Sequence, residues 1–318
     1  MKHALFRAGL SALSASGIAR AMAHRTRGLG AILMFHRVRP YEPKAFEPHR
    51  MLEITPAFLD AVLHRLIEHG YDIIPINTLA ERIRQPKPER PFAVLTFDDG
   101  YRDNAEYALP VLRKHKAPFA VFATTGFADG TAPLWWLDLA ESVERGATLR
   151  FEGGPVRLTT TEQKLQEFNG LFGELRERPW MLGEIAKLAA AAEIDTLART
   201  RELCLDWDSL SVLAAEPLCT IGAHTLTHPL LGTQDDATAR REMAASKSIL
   251  EEKLGLPVRH IAYPVGDPLA AGIREFAMAL DIGFETGLTT RPGVLFARHA
   301  DHLQACLLYT SPSPRDRG

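Results

Sequence analysis

The chain has 318 residues, 46% hydrophobic and 24% charged, ordinary fractions for a soluble globular protein and enough chain for one α/β barrel or two smaller domains. Its 37 basic and 39 acidic side chains give a formal charge of −2, which argues against a nucleic-acid partner. Three Cys argue against a disulfide framework and favour a reducing compartment, and no window approaches the roughly 18 apolar residues of a membrane span.

The N-terminal segment 1–29 reads as an amphipathic helix. Lys2, Arg7 and the Ala-rich run ending at Ala21-Met22-Ala23 have some character of an export signal, but Arg7 and Arg20 interrupt its apolar stretch. A cytoplasmic location is therefore favoured over export. From residue 30 short apolar runs alternate with helical patterns. Residues 31–35 read as a strand. Thr55 and Pro56 open a helix as N-cap and first residue, and Gly70 stops it. Tyr71 to Ile76 is a strand, followed by a short helix at 79–83. Residues 92–97 form an almost wholly apolar strand, followed by a helix over 105–115 and a strand over 119–123.

Residues 129–215 break this rhythm and read as a mainly helical insertion. Trp135 and Trp136 start a helix and are expected in its core, because Leu134, Leu137 and Leu139 flank them. A hairpin is expected over 149–158 around Gly153-Gly154, then three helical stretches. The alternation resumes with a strand at 218–223, a helix over 236–254, a strand at 259–263, a helix over 269–280 and a strand at 284–289. Six or seven strand–helix units with apolar strands predict a parallel sheet covered by helices. A closed or nearly closed barrel is favoured over an open doubly wound sheet, since no G-x-G-x-x-G follows the first strand.

The polar residues of interest follow strands, which in a barrel puts them on the face where active sites are built. Asp98 and Asp99, in Thr96-Phe97-Asp98-Asp99-Gly100, are adjacent carboxylates that need a cation or donors nearby. Alternatively they cap the next helix. His224 and His228 face one metal if the segment turns tightly; otherwise they are surface imidazoles. Tyr263-Pro264-Val265-Gly266 is either a simple turn or a turn whose Tyr263 N–H serves as an oxyanion donor. One Asp and two His have the composition of a catalytic zinc centre with an open position.

Thr96-Phe97-Asp98-Asp99-Gly100, His224-Thr225-x-x-His228 and Tyr263-Pro264-x-Gly266, in this order, resemble the polysaccharide deacetylase (NodB-homology) family, including its chitooligosaccharide deacetylases. Met34-Phe35-His36-Arg37-Val38 is similar to that family's first-strand segment, and Thr289-Thr290-Arg291-Pro292-Gly293 to a late one. The similarity spans about residues 30–305. It implies an α/β fold of a particular kind, a distorted (β/α) barrel with the insertion 129–215. It implies a divalent metal, Zn2+ first and Co2+ next, on Asp99, His224 and His228, with Asp98 as general base. The implied reaction removes N-acetyl groups from an acetylated glycan built on N-acetylhexosamine. The family's general acid is a late His, for which His299 and His302 are the candidates, although neither stands in the family's Leu-x-His context. An O-acetyl esterase acting on xylan or another polysaccharide, and a non-catalytic carbohydrate-binding remnant, are the competing readings.

Cys306 to Asp316 is similar to the conceptual translation of a transposase adapter used in sequencing libraries. Residues 306–318 are therefore expected to be non-native and to build no element, leaving the barrel without its last strand and closing helix.

Overall fold

A computed structural model describes residues 28–85, 89–146, 158–175, 178 and 180–310. The expected N-terminal helix, nearly all of the 149–158 hairpin and the tail beyond 310 lie outside these residues. The described strands are β1 (Gly30–Phe35), β2 (Arg37–Val38), β3 (Glu53–Ile54), β4 (Asp72–Ile73), β5 (Phe92–Phe97), β6 (Phe119–Ala123), β7 (Cys219–Ala223), β8 (His260–Ala262), β9 (Thr286–Pro292) and β10 (Cys306–Thr310). Seven of them run parallel in the order β1-β10-β9-β8-β7-β6-β5, and β1 pairs back onto β5 from Gly30–Phe92 to Phe35–Phe97. The barrel is nearly closed. One edge of β5 is shared, with β4 on Phe92 and Ala93 and β6 on Thr96 and Phe97, and this leaves a seam. β2 and β3 form a small parallel pair of their own.

The strands are apolar on both faces because both faces are covered. Successive side chains point to opposite sides. Ile32, Val94, Ala120, Phe122, Ala262 and Leu288 fill the barrel interior. Leu33, Ala93, Leu95, Val121, Ile221 and Ile261 pack outward under the helices. Gly222 on β7 leaves room for the Phe122 ring, whose atoms an added Cβ would meet at 2.4 Å.

The described helices are α1 (Pro56–Glu68), α2 (Leu79–Arg84), α3 (Leu109–His115), α4 (Thr125–Ala128), α5 (Trp135–Glu144), α6 (Thr161–Glu174), α7 (Met181–Ala191), α8 (Thr196–Leu203), α9 (Trp207–Ala214), α10 (Asp236–Leu254) and α11 (Ile273–Ile282). Thr55 caps α1 by accepting from the Phe58 N–H, and Asp235 caps α10 by accepting from the Thr238 N–H. Among the described residues no helix is long and apolar enough to cross a membrane.

The structure corrects several expectations. The strand expected over 71–76 is confined to Asp72–Ile73; Pro75 lacks an N–H for a ladder and leads into a tight turn at Ile76–Thr78. The helix expected from 269 starts at Ile273, because the Asp267 carboxylate first holds the Leu269 and Ala270 amides in a turn. The helix expected over 105–115 opens with a wide π turn, Asn104–Ala108, since Pro110 cannot donate to the Glu106 carbonyl. Among the described residues four helices, not three, follow α5; the first three share with Trp135 and Trp136 a core separate from that of the barrel, whereas α9 packs on the barrel core through Leu210 and Leu213. Residues 306–310 were expected to build no element and instead form β10, between β1 and β9. Two parallel strands with unpaired edges accept almost any extended backbone, and Cys306 adds a buried apolar side chain.

One inward residue is a titratable liability. His260 is 1% exposed; its Nδ1 lies 2.8 Å from Thr286 Oγ1 and its Nε2 2.7 Å from Asn77 Oδ1. Burial lowers its pKa from 6.5 to about 4. The folded pKa lies below the unfolded one, so this contribution is complete above pH 6.5 and is lost as pH falls toward 4. From pH 7 to pH 5 His260 is expected to cost about 2 kcal/mol of stability. Urea unfolding at both pH values checks this: His260→Gln should lose about that much less than the native sequence on acidification, and an identical loss in both proteins would refute it.

Candidate metal centre and active site

The residues after β1, β5, β7 and β8 meet at the carboxyl end of the barrel. The Asp98 N–H donates to the Phe35 carbonyl at 3.0 Å, carrying the β1–β5 ladder one step further. Asp99 (φ 71°) and Gly100 (φ 69°) then take left-handed conformations. Asp tolerates this region and Gly favours it, so the chain turns sharply and directs the Asp99 carboxylate across the barrel mouth. Neither Asp caps a helix; the next turn begins at Asn104.

His224 follows β7 and is held by its N–H to the Ala123 carbonyl, at 3.0 Å. Its Nδ1 lies 2.8 Å from the Ala262 carbonyl, so Nδ1 carries the proton and Nε2 presents a lone pair. The segment to His228 is a tight turn, not a helix, with Thr225 at φ 67° and His228 at φ 59°. Asp99 Oδ1 lies 3.4 Å from Nε2 of His224 and 3.3 Å from Nε2 of His228. All three residues are buried. Their ligand atoms lie within 4.8 Å of one another.

These contacts do not satisfy one another. Asp99 Oδ1, His228 Nδ1 and Asp98 Oδ1 are buried without a hydrogen-bond partner. Orphaned polar atoms of this kind are costly, and a cation among the three converging donors would offset the cost at Asp99. The donor set of one carboxylate and two imidazoles fits a divalent ion.

The polysaccharide deacetylase family model matches residues 85–282, more than half of the chain. The chain belongs to the polysaccharide deacetylase family. This makes it a carbohydrate deacetylase, a hydrolase. Among solved structures, this deacetylase is similar to Streptococcus pyogenes deacetylase PplD, determined in complex with acetate (19% identity, 90% of this chain and 93% of that one, TM-score 0.54). It is similar to IcaB from Ammonifex degensii (17% identity, 92% and 96%, TM-score 0.56) and to the BpsB deacetylase domain from Bordetella bronchiseptica (16% identity, 88% and 95%, TM-score 0.54). At these identities the similarity shows the barrel fold. No curated protein matches the chain significantly in sequence.

The electrostatics of the deacetylase separate its two carboxylates. Burial pushes the Asp98 carboxyl up, and His224 and His36 only partly oppose this. Burial also acts on Asp99, but His224 and His228 at its oxygen outweigh it and hold that carboxyl well below the usual range. Burial lowers His228. It also opposes the charged form of His224, but Asp99 and Asp98 raise that imidazole overall. Asp99 is thus an obligate anion beside two imidazoles, and Asp98 is a carboxylate with an affinity for a proton.

The remaining expected residues fare differently. The Tyr263 N–H is engaged by the Leu288 carbonyl at 3.0 Å, and its hydroxyl donates to Gln304 O at 2.8 Å. The ring packs outward on Phe276. Tyr263 therefore offers no free oxyanion donor, because β9 lies alongside and uses the amide. His299 and His302 are at the wrong end of the barrel. They follow Leu295, which bridges Gly30 at the start of β1, and they precede the first residue of β10. His299 Nδ1 instead accepts from the Phe296 N–H of its own turn.

The structure puts a different imidazole in the site. His36 follows Phe35, the partner of Phe97, and so lies level with Asp98. It acts electrostatically on Asp98, Asp99 and His228. Asn104 Nδ2 holds its carbonyl at 2.8 Å, and Asp103 Oδ1 accepts from the next-but-one amide, Val38, at 3.0 Å. The parity of β1 was the available signal: Ile32 and Met34 pack on the inner side, so His36 continues that side. Trp136 is buried as expected, but it also walls the site. Its ring lies 4.6 Å from that of His228, and its Nε1 donates to the Tyr101 hydroxyl at 3.2 Å.

Proposed function

We propose that the chain is a metal-dependent N-deacetylase that hydrolyses N-acetyl groups on N-acetylhexosamine units of an oligo- or polysaccharide. The observation that carries this reading is the convergence of Asp99, His224 and His228 beside Asp98, a second buried carboxylate with an unbonded oxygen. Acetate, present in the PplD structure, is the product such a reaction releases.

Asp99, His224 and His228 would hold the ion, with Zn2+ ahead of Co2+ for this donor set. When bound, the ion supplies Lewis acidity at the acetyl carbonyl and makes a water molecule acidic near neutral pH. Asp98 is the base. Its unbonded Oδ1 accepts the proton of the attacking water, and its raised proton affinity brings it nearer the working pH than a solvated Asp. The amine leaves only when its nitrogen receives a proton, and His36 is the imidazole placed to donate it. Trp136 and Phe127 beside His228 exclude bulk water from the site.

Acetate release tests the reading, using N-acetylated chitooligosaccharides and O-acetylated xylan with added Zn2+ or Co2+. Metal-dependent release from the N-acetyl substrates is expected. Release from the esters alone would replace the substrate assignment, and metal and glycan binding without release from either would leave a binding protein. His36→Ala should lower the rate by roughly 100-fold or more. His299→Ala and His302→Ala should stay near the native rate, and the reverse ranking would sink the assignment of His36.

A further inference from the structure

We propose that Glu242 is the positioning residue of the metal centre: it holds the His224–His228 turn in the strained shape that brings both imidazoles onto Asp99. The inference rests on the metal reading above and goes beyond it to a residue that contacts none of the three ligand side chains.

Glu242 lies on α10, an element otherwise remote from the carboxyl end of β5. Most charged side chains of this helix face solvent, but Glu242 is 6% exposed. A buried carboxylate must find donors. Glu242 Oε2 accepts from the Leu226 and Thr227 amides, both at 2.9 Å, and Oε1 accepts from the Thr227 hydroxyl at 2.9 Å. Among the described residues no Lys or Arg pairs with it. Its charge is therefore stabilised by the two successive amides and one hydroxyl of the metal-ligand turn.

That turn needs an external clamp. Thr225 is β-branched yet sits at φ 67°, and His228 sits at φ 59°. Such conformations persist only where the surroundings over-determine them. His224 itself is held by Ala123, Thr124 and Ala262. Beyond it, the described ties of Thr225–His228 other than Glu242 are three: the His228 N–H to Thr225 Oγ1 at 3.1 Å, the Thr125 N–H to the Thr225 carbonyl at 3.2 Å and the Gly126 N–H to the Leu226 carbonyl at 2.8 Å. Those groups are neutral. Glu242 supplies the only ionised group among these ties, and it binds the middle of the turn at three points. Without it the backbone relaxes toward negative φ, and the two Nε2 atoms no longer share a focus with Asp99 Oδ1.

The test measures Zn2+ affinity of the full-length chain by competition with a chromogenic chelator, for the native sequence, Glu242→Gln and Glu242→Ala. Glu251→Gln is the control on the same helix, where Glu251 Oε1 accepts from Lys247 and from the Val258 amide. The native chain should bind Zn2+. Glu242→Gln, which keeps the shape and helix preference of Glu, should bind it roughly 10- to 100-fold more weakly, with Glu242→Ala at or beyond that range. The control should bind like the native chain, and all metal-free proteins should show native circular dichroism. A weakened but fully loaded Glu242→Gln should recover most of its turnover at saturating Zn2+, since the clamp acts through affinity. Zn2+ affinity in Glu242→Gln within threefold of native overturns the positioning role alone. So does an equal loss in Glu251→Gln. Failure of the native chain to bind Zn2+ overturns the metal reading and this inference with it.

Discussion

Asp98→Asn should lower acetate release by roughly 100- to 10,000-fold and leave metal content unchanged. Asn has nearly the shape of Asp but cannot take a proton from water. Asp98 is not among the three convergent ligands, so its loss leaves Asp99, His224 and His228 in place. Its carboxylate is buried with Oδ1 unbonded, and burial already pushes its pKa up. Removing that charge relieves a desolvation cost, so the variant should melt no lower than the native chain. Activity, zinc stoichiometry and thermal melting on one preparation check all three points. A variant that keeps more than about a tenth of the native rate would show that Asp98 is not the base.

Asp99→Ala should abolish both zinc retention and activity. Asp99 Oδ1 is the point on which both imidazoles converge, at 3.4 and 3.3 Å. Its removal leaves two neutral nitrogens and no anionic ligand in the set to offset a divalent charge. The loss of affinity should therefore exceed the roughly 100-fold that removal of an outer-shell partner produces. A ligand that binds only the folded state raises its stability. Added Zn2+ should accordingly raise the melting temperature of the native chain and not that of Asp99→Ala. A variant that retains one zinc per chain after dialysis and still releases acetate would remove Asp99 from the ligand set. Together the two substitutions separate the two carboxylates: Asp98→Asn loses the chemistry and keeps the metal, whereas Asp99→Ala loses the metal itself.

Much of the fold was legible in residue order, because it follows from short-range rules. The strands over 92–97 and 119–123 and the helix over 236–254 have the bounds expected of them. Wholly apolar runs flanked by turn-formers, and an Asp one residue before a helical stripe, are local signals. Asp98-Asp99-Gly100 and His224-x-x-x-His228 were legible for the same reason. Each packs an unusual set of side chains into a few residues, and their common position after strands brought them to one end of the barrel.

The misplaced residues share a cause. His299 and His302 lie near the late part of the chain where the family's acid would be sought, yet the connection from β9 crosses back to the opposite end before β10 begins. Tyr263 occupies the expected turn, but whether its N–H is free depends on Leu288 in the adjacent strand. His36 stands in the first-strand segment, but its place beside Asp98 depends on a strand pairing that spans 62 positions, Phe35 with Phe97.

The sequence by itself determined the alternation of strands and helices, the covered parallel sheet and the family, and it singled out Asp98, Asp99, His224 and His228, which the fold brings to one end of the barrel. These rest on side-chain periodicity, caps and compact motifs, which act over a few residues. Only the tertiary structure decided that 306–310 can complete the ring, that the Tyr263 amide is engaged, that Trp136 walls His228, and that Glu242 on a distant helix braces the ligand turn. Each of these depends on which backbone edge or buried polar atom is left unpaired after the chain has folded, and on which remote segment then reaches it.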